Sequence, residues 1–280
     1  MNGARALIAL VLVALVGCGT SQRTITDVPA AQLDEWARAH NAEVARFDTL
    51  WARGVISIAW TEPDGDSRYE QGNAHLQFDR DQGVALSVNK LGDTYLWFGS
   101  DGDRSWVIEP RDDRARIASP GPGGNANDAF VFDPVHMIGL LGLGDVPLPD
   151  DPGVRTQGAT LSVDRETLGW SYGFDPQSGR LVGVRVEDER GLLASASLSE
   201  PLPVVLPEEG GFFPLVASSA RIEYVRGGGG LLRLTLETLE ARAITPAVFD
   251  VEFLVGPDVY DIDAVEYVEP SGLVAAEPEG

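Results

Sequence analysis

Between residues 31 and 52 the apolar positions recur at intervals of three and four. Leu33, Trp36, Ala37, Val44, Phe47 and Trp51 fall on one side, with Asp34, Glu35, Arg38, Glu43 and Arg46 mostly on the other. That spacing predicts one amphipathic helix over 31–52, ended by Gly54, with Thr26 or Asp27 as its cap. Beyond Gly54 the period changes to two. Ile56, Ile58 and Trp60 share one strand face, as do Ala74, Leu76 and Phe78, and then Val84, Leu86 and Val88. Tyr95 and Trp97 alternate with Leu96 and Phe98, and Trp106 with Ile108 follows. Turn chemistry separates these runs, as at Asp79-Arg80-Asp81-Gln82-Gly83 and Ser100-Asp101-Gly102-Asp103.

The second half repeats the rhythm after a loop at 119–130. Asp133-Pro134 reads as a cap and first helical position, opening a short helix that is apolar nearly all round. Period two then returns in Leu168–Trp170–Tyr172–Phe174, in Val182–Val184–Val186, in Leu192–Ala194–Ala196–Leu198 and in Leu232–Leu234–Leu236. Residues 201–215 read as an irregular crossing. Phe249, Val251 and Phe253 suggest a last strand, and from Glu266 the composition is that of a flexible acidic tail, 266–280. No repeat and no break in composition divides the chain, so 31–265 reads as a single domain, mostly β with helices (α+β). A sheet of about ten antiparallel strands tends to curl and needs a cover, which the helix at 31–52 can supply.

The chain opens with Arg5 and an unbroken apolar run over 6–16. As a helix that run rises roughly 16 Å, about half of the hydrocarbon core of a bilayer, so it fits an export signal over 1–17 and not a spanning helix. Leu15-Val16-Gly17-Cys18 resembles the lipobox of bacterial lipoproteins, in which the cysteine is acylated before cleavage. The resemblance implies diacylglycerol and a further acyl chain such as palmitate on Cys18, and a lipidated tether over 18–30. Acyl chains contribute about 0.8 kcal/mol per buried CH₂, so several of them anchor a protein stably. Gly19 stands where some inner-membrane lipoproteins carry a retaining aspartate. The expected location is therefore the bacterial cell envelope, lipid-anchored at the outer membrane and facing the periplasm.

Composition narrows the partners. Cys18 is the only cysteine, so no disulfide staples the fold. The formal net charge is −22, and Lys90 is the only lysine. Such a surface repels phosphate backbones and anionic headgroups, which argues against nucleic acid and leaves membrane contact to the lipid on Cys18.

The lipobox, the tether, a helix running into FDTLWARGVISIAW and then a meander of strands resemble the LolA/LolB-like superfamily of envelope lipoprotein carriers and receptors. The layout matches over about 31–255 and is sharpest over 33–110. It implies a strongly curved antiparallel half-barrel, covered by the N-terminal amphipathic helix and the short apolar helix, with an apolar cavity between sheet and lid. Carried onto this chain, it implies an inner face including Ile56, Ile58, Trp60, Leu76, Phe78, Leu86, Trp97 and Trp106. The lid falls on 135–143, with Val135, Ile138, Leu140, Leu141 and Leu143.

No enzymatic constellation accompanies this layout. His40, His75 and His136 are scattered and form no HExxH or other ligand spacing, so no metal and no cofactor are expected. No GxSxG elbow is present, and the glycines at 227–230 lack the Lys-Ser/Thr of a phosphate loop. Asp64-Gly65-Asp66 and Asp101-Gly102-Asp103 lack the spaced oxygens of a calcium loop and read as turns. Two functions follow. One is a non-enzymatic carrier or receptor of acyl lipid, lipoprotein or another apolar ligand; the other is a structural or protein-interaction lipoprotein with a solid core and no ligand.

Overall fold

The computed structural model describes residues 27–61, 65–119, 134–165, 167–207, 213–225 and 229–268. The signal segment, Cys18, most of the tether and the end of the tail lie outside these residues.

Helix α1 spans Ala30–Val44 and buries Leu33, Ala37 and Val44, the i, i+4 part of the predicted stripe. It ends earlier than its periodicity suggests. The Arg80 side chain reaches back to donate to the Val44 carbonyl (2.7 Å), an acceptor that the helix C-terminus leaves open, and to the Phe47 carbonyl of the connection that follows (3.3 Å). Phe47 is then in a connection and Trp51 in a strand. Gly54 lies inside that strand and ends no helix.

Among the described residues fourteen strands follow: β1 Thr49–Thr61, β2 Ser67–Asp79, β3 Gly83–Lys90, β4 Asp93–Ser100, β5 Ser105–Glu109, β6 Arg114–Ala118, β7 Val154–Gln157, β8 Thr160–Arg165, β9 Leu168–Phe174, β10 Leu181–Asp188, β11 Gly191–Pro203, β12 Leu215–Tyr224, β13 Gly230–Glu240 and β14 Ala264–Val268. They form a single sheet in the order β14-β6-β5-β4-β3-β2-β1-β13-β12-β11-β10-β9-β8-β7. All neighbours are antiparallel except β14 and β6, which run parallel. β1 closes against β13, so the two halves of the chain meet at the middle of the sheet.

The strongly curved half-barrel expected from the sequence is not the observed form. Among the described residues the sheet is open, with β14 and β7 as its two end strands. A wide sheet that must hide one face can do so by rolling up; here separate segments cover the two faces instead. On one face a large core joins α1, β1–β4 and β8–β13 with the short helix α2, Met137–Leu140. On the other, residues 244–262 cover β3–β6 in a second cluster, with Phe249, Val251, Leu254 and Ile262 against Ala85, Trp106, Ile108, Ala115 and Ile117.

The C-terminal region also departs from the pattern in the sequence. Phe249, Val251 and Phe253 do not form a strand. Asp250 caps the short helix α3, Val251–Val255, by accepting from the Phe253 N–H at 3.1 Å, which buries Val251 and Leu254 and leaves Phe253 exposed. The last strand is β14, which runs on to Val268, past the point where composition alone places the tail. The crossing at 201–215 is partly strand, since β11 runs to Pro203 and Val205 bridges to Glu240.

Candidate functional site

A cavity of about 580 Å³ opens between α1 and the adjoining ends of β10, β11 and β12. Leu141, Leu181, Leu198, Leu215 and Val216 give it an aliphatic lining, and Trp36 and Ala39 of α1 face them. Trp36 is positioned by two contacts. Its indole lies 6.1 Å from the Phe174 ring, and it stands over Gly179, where an added Cβ would come within 2.4 Å of the indole. Gly179 also has φ +70°, so the β9–β10 turn needs glycine for its backbone and for the approach of the tryptophan. Glu35, Glu43, Arg180 and Glu200 complete the wall, and the exposure of Glu35, Ala39, Arg180 and Glu200 marks the side that opens to solvent.

Polar residues of α1 fix the neighbouring segment. Asn41 donates to the Val146 carbonyl and accepts from the Val146 N–H, both at 2.9 Å. The Glu43 carboxylate accepts from the Leu215 N–H at 2.8 Å, pinning the start of β12 beneath the helix. His40 lies 3.1 Å from the Gly144 carbonyl, which can only accept, so Nε2 carries the hydrogen.

Burial holds the His40 pKa below its ordinary value, against the opposing pull of the Gly144 carbonyl, Asp145 and Glu43. The unfolded chain therefore takes up this proton first as pH falls. The stability tied to the neutral ring is complete above the unfolded value of 6.5 and declines as pH drops toward the folded value. His75 contributes in the same direction, lowered by burial and then by Arg53 and Arg242. The urea midpoint should fall as pH is taken from about 7 to about 5.5, and His40→Gln should flatten that slope. An identical slope in the variant would refute this role for His40.

The residues expected to line one cavity divide between two faces. Ile56, Ile58, Leu76, Phe78 and Leu86 are 0–2 % exposed in the large core, with Trp60 packed at its margin. Trp97 and Trp106 belong to the second cluster, across the sheet. Strand alternation explains the division, because Trp97 points opposite to Phe98 and Trp106 opposite to Val107. None of the eight lines the cavity described above. Of the segment expected as a lid, Leu140, Leu141 and Leu143 are buried and Ile138 packs against the large core. Leu141 alone among them reaches the cavity. The Val135 side chain lies outside the described residues.

Two clusters near the surface were not apparent from the sequence. Arg242 stacks 3.7 Å from the Trp51 ring centroid, with Arg53 at 5.2 Å and the His75 ring at 6.1 Å. The single lysine, Lys90, pairs with Glu70 and lies 4.5 Å over the Tyr95 ring, while the Tyr95 hydroxyl donates to Glu70 at 2.9 Å. Burial and then this bond push the Tyr95 pKa up to about 12. Among the described residues, no group of three or more His, Cys, Asp and Glu side chains is placed to hold a metal ion, and no helix is long and apolar enough to cross a membrane.

No protein-family model matches the chain, and no curated protein matches it. Among solved structures it is distantly similar to members of the LolA/LolB-like and DUF1329 groups. A DUF1329 family protein from Desulfovibrio piger shares 13 % identity over 81 % of this chain and 99 % of its own, with a TM-score of 0.48. A domain assigned to outer-membrane lipoprotein sorting from Vibrio parahaemolyticus shares 13 % identity over 81 % of this chain and 99 % of its own, at 0.46. A LolA superfamily protein from Nitrosomonas europaea shares 11 % identity over 81 % of this chain and 100 % of its own, at 0.42.

Proposed function

We propose that this protein is a non-enzymatic carrier or receptor of the bacterial envelope that holds an apolar ligand in the cavity beneath α1. The observation that carries this reading is the cavity itself: about 580 Å³, lined by Leu141, Leu181, Leu198 and Val216 and roofed by Trp36. Ligand sites are commonly concave and predominantly apolar, with a few polar groups that orient the ligand. Here those polar groups sit at the open side.

An uncharged fluorescent dye, N-phenyl-1-naphthylamine, provides the test. It should bind residues 27–280 saturably, at about one site per chain, and be displaced by a decyl amphiphile. Ala39 lines the cavity from the exposed side of α1, so Ala39→Trp should fill the space without disturbing the core. Loss of dye binding at an unchanged urea midpoint is the expected result. The tight packing of Ile56, Leu76 and Leu86 favours the alternative, a structural or interaction lipoprotein, for that part of the sheet. Absence of saturable binding by the wild-type domain would extend the alternative to the whole molecule.

The same reading places the domain on the membrane through lipid on Cys18, supported by Leu15-Val16-Gly17-Cys18 at the end of a short apolar run. Intact-mass measurement of protein from a bacterial envelope should show an acylated N-terminal cysteine at position 18. Cys18→Ser should leave a precursor or a released protein. An unmodified cysteine, or cleavage at another position, would remove the anchor from the model of function.

A further inference from the structure

We infer that the cavity beneath α1 selects an amphiphile with a cationic, amine-type head over one with an anionic head, an inference that rests on the apolar-ligand reading above. The cavity has two chemically distinct parts. Its interior is aliphatic, suited to a linear or branched hydrocarbon tail. Its wall and mouth carry the carboxylates of Glu35, Glu43 and Glu200 against the single guanidinium of Arg180. His40, the other titratable group of the wall, adds no positive charge near neutrality, because burial keeps its ring in the neutral form. The Glu43 carboxylate accepts from the Leu215 N–H, which fixes it at the wall.

An anionic head entering here would meet an excess of like charge, and the surrounding chain, at −22, offers no compensating field. A protonated amine or quaternary ammonium meets the reverse. It can also approach the indole of Trp36, which Gly179 and Phe174 hold in place at the cavity wall, and aromatic faces attract such cations. Arg180 lies at the open side, and a zwitterionic head could use it. Three carboxylates against one arginine leave an excess of negative charge, which favours a positively charged head.

The test uses three decyl amphiphiles, each below its micelle concentration: decylammonium, decanoate and uncharged decyl glucoside. Each displaces N-phenyl-1-naphthylamine from residues 27–280. At low ionic strength decylammonium should compete about tenfold more strongly than decanoate, with the glucoside between them. In about 0.5 M salt the spread should contract, since rim charges are screened while tail burial persists. The paired substitution Glu35→Gln and Glu200→Gln exposes no new apolar surface and should bring decylammonium and decanoate within about twofold. Trp36→Leu keeps an apolar roof and should weaken decylammonium more than the glucoside. Equal or stronger competition by decanoate in the wild-type protein overturns the selectivity and leaves the apolar site standing. Failure of the dye and all three amphiphiles to bind overturns the site as well.

Discussion

Replacing Gly54 with alanine is expected to reduce stability by about 3 kcal/mol or more, beyond the usual range for a single added methyl group. Gly54 lies in β1, opposite Leu236 of β13, and the register shifts between Arg53 and Gly54. A Cβ at this position would fall 2.0 Å from the Thr235 carbonyl oxygen and 2.7 Å from the Leu236 Cα. Both obstacles are backbone, so no rotamer change relieves them. The strands must move apart, and β1–β13 is the pairing that joins the N-terminal half of the sheet to the C-terminal half. Gly183→Ala is the matched control. Its Cβ would meet only the Ala196 carbonyl, at 3.6 Å, in a backbone conformation open to any residue. It should be neutral, or stabilising by up to about 1 kcal/mol through the unfolded chain. Urea titrations of the two variants beside wild type measure the difference. Equal midpoints would mean that β1 and β13 are not apposed as described.

The same position shows why the sequence was only partly legible. Gly54 follows a helical stripe and precedes an alternating one, so it reads as a helix end. The boundary is in fact set ten residues earlier, by Arg80, whose side chain reaches the Val44 carbonyl from the β2–β3 turn. No local pattern contains that contact. The strands with strong alternation, β2, β3 and β4, were plain because each presents apolar residues to a buried face. β7 was not, since Val154-Arg155-Thr156-Gln157 is an edge strand with three exposed residues and no stripe. At 249–253 the spacing of Phe249, Val251 and Phe253 imitates a strand, while the Asp250 cap selects a helical turn. Alternation placed Tyr95 and Trp97 on one face and Leu96 and Phe98 on the other. It could not reveal that the second face belongs to a separate core supplied by residues 244–262. That missing fact put Trp97 and Trp106 on the wrong side of the sheet.

The cavity was harder still to foresee. Its walls come from α1, from the end of the α2 segment and from three strands whose chain positions span residues 35–217. Several of the decisive positions are small or charged, and these carry no periodic signal. Trp36 was legible as part of an apolar helix face, and the turn at Pro176-Gln177-Ser178-Gly179 was legible as a turn. Their contact depends on Gly179 leaving room for the indole, a tertiary match between two unremarkable local features. The resemblance to lipid-handling envelope proteins implies a cavity along the apolar alternation of the first strands. Most of those residues are buried in the core, and the cavity lies where polar helix residues and strand ends meet.

Trp106→Ala should cost about 3–5 kcal/mol, the range for emptying a large aromatic site in a core. Trp106 is fully buried in β5, pairs opposite Gly99, and packs within the cluster that holds residues 244–262 against the sheet. Gly99 is part of the design: a Cβ there would come within 2.8 Å of the indole ring. The lost contacts would loosen α3 and its flanks before the large core, which lies across the sheet. Limited proteolysis should therefore cut between residues 244 and 262 in the variant under conditions that spare the wild type. Trp106→Phe separates ring burial from the indole N–H. That Nε1 is buried with no hydrogen-bond partner among the described residues, so its removal relieves an unmet donor while some ring volume is lost. Phenylalanine should accordingly cost about 1–2 kcal/mol, well below alanine. Equal losses for the two variants would show that the indole N–H is satisfied in solution. A small loss for alanine, with no new cleavage, would show that residues 244–262 do not depend on this tryptophan for their place on the sheet.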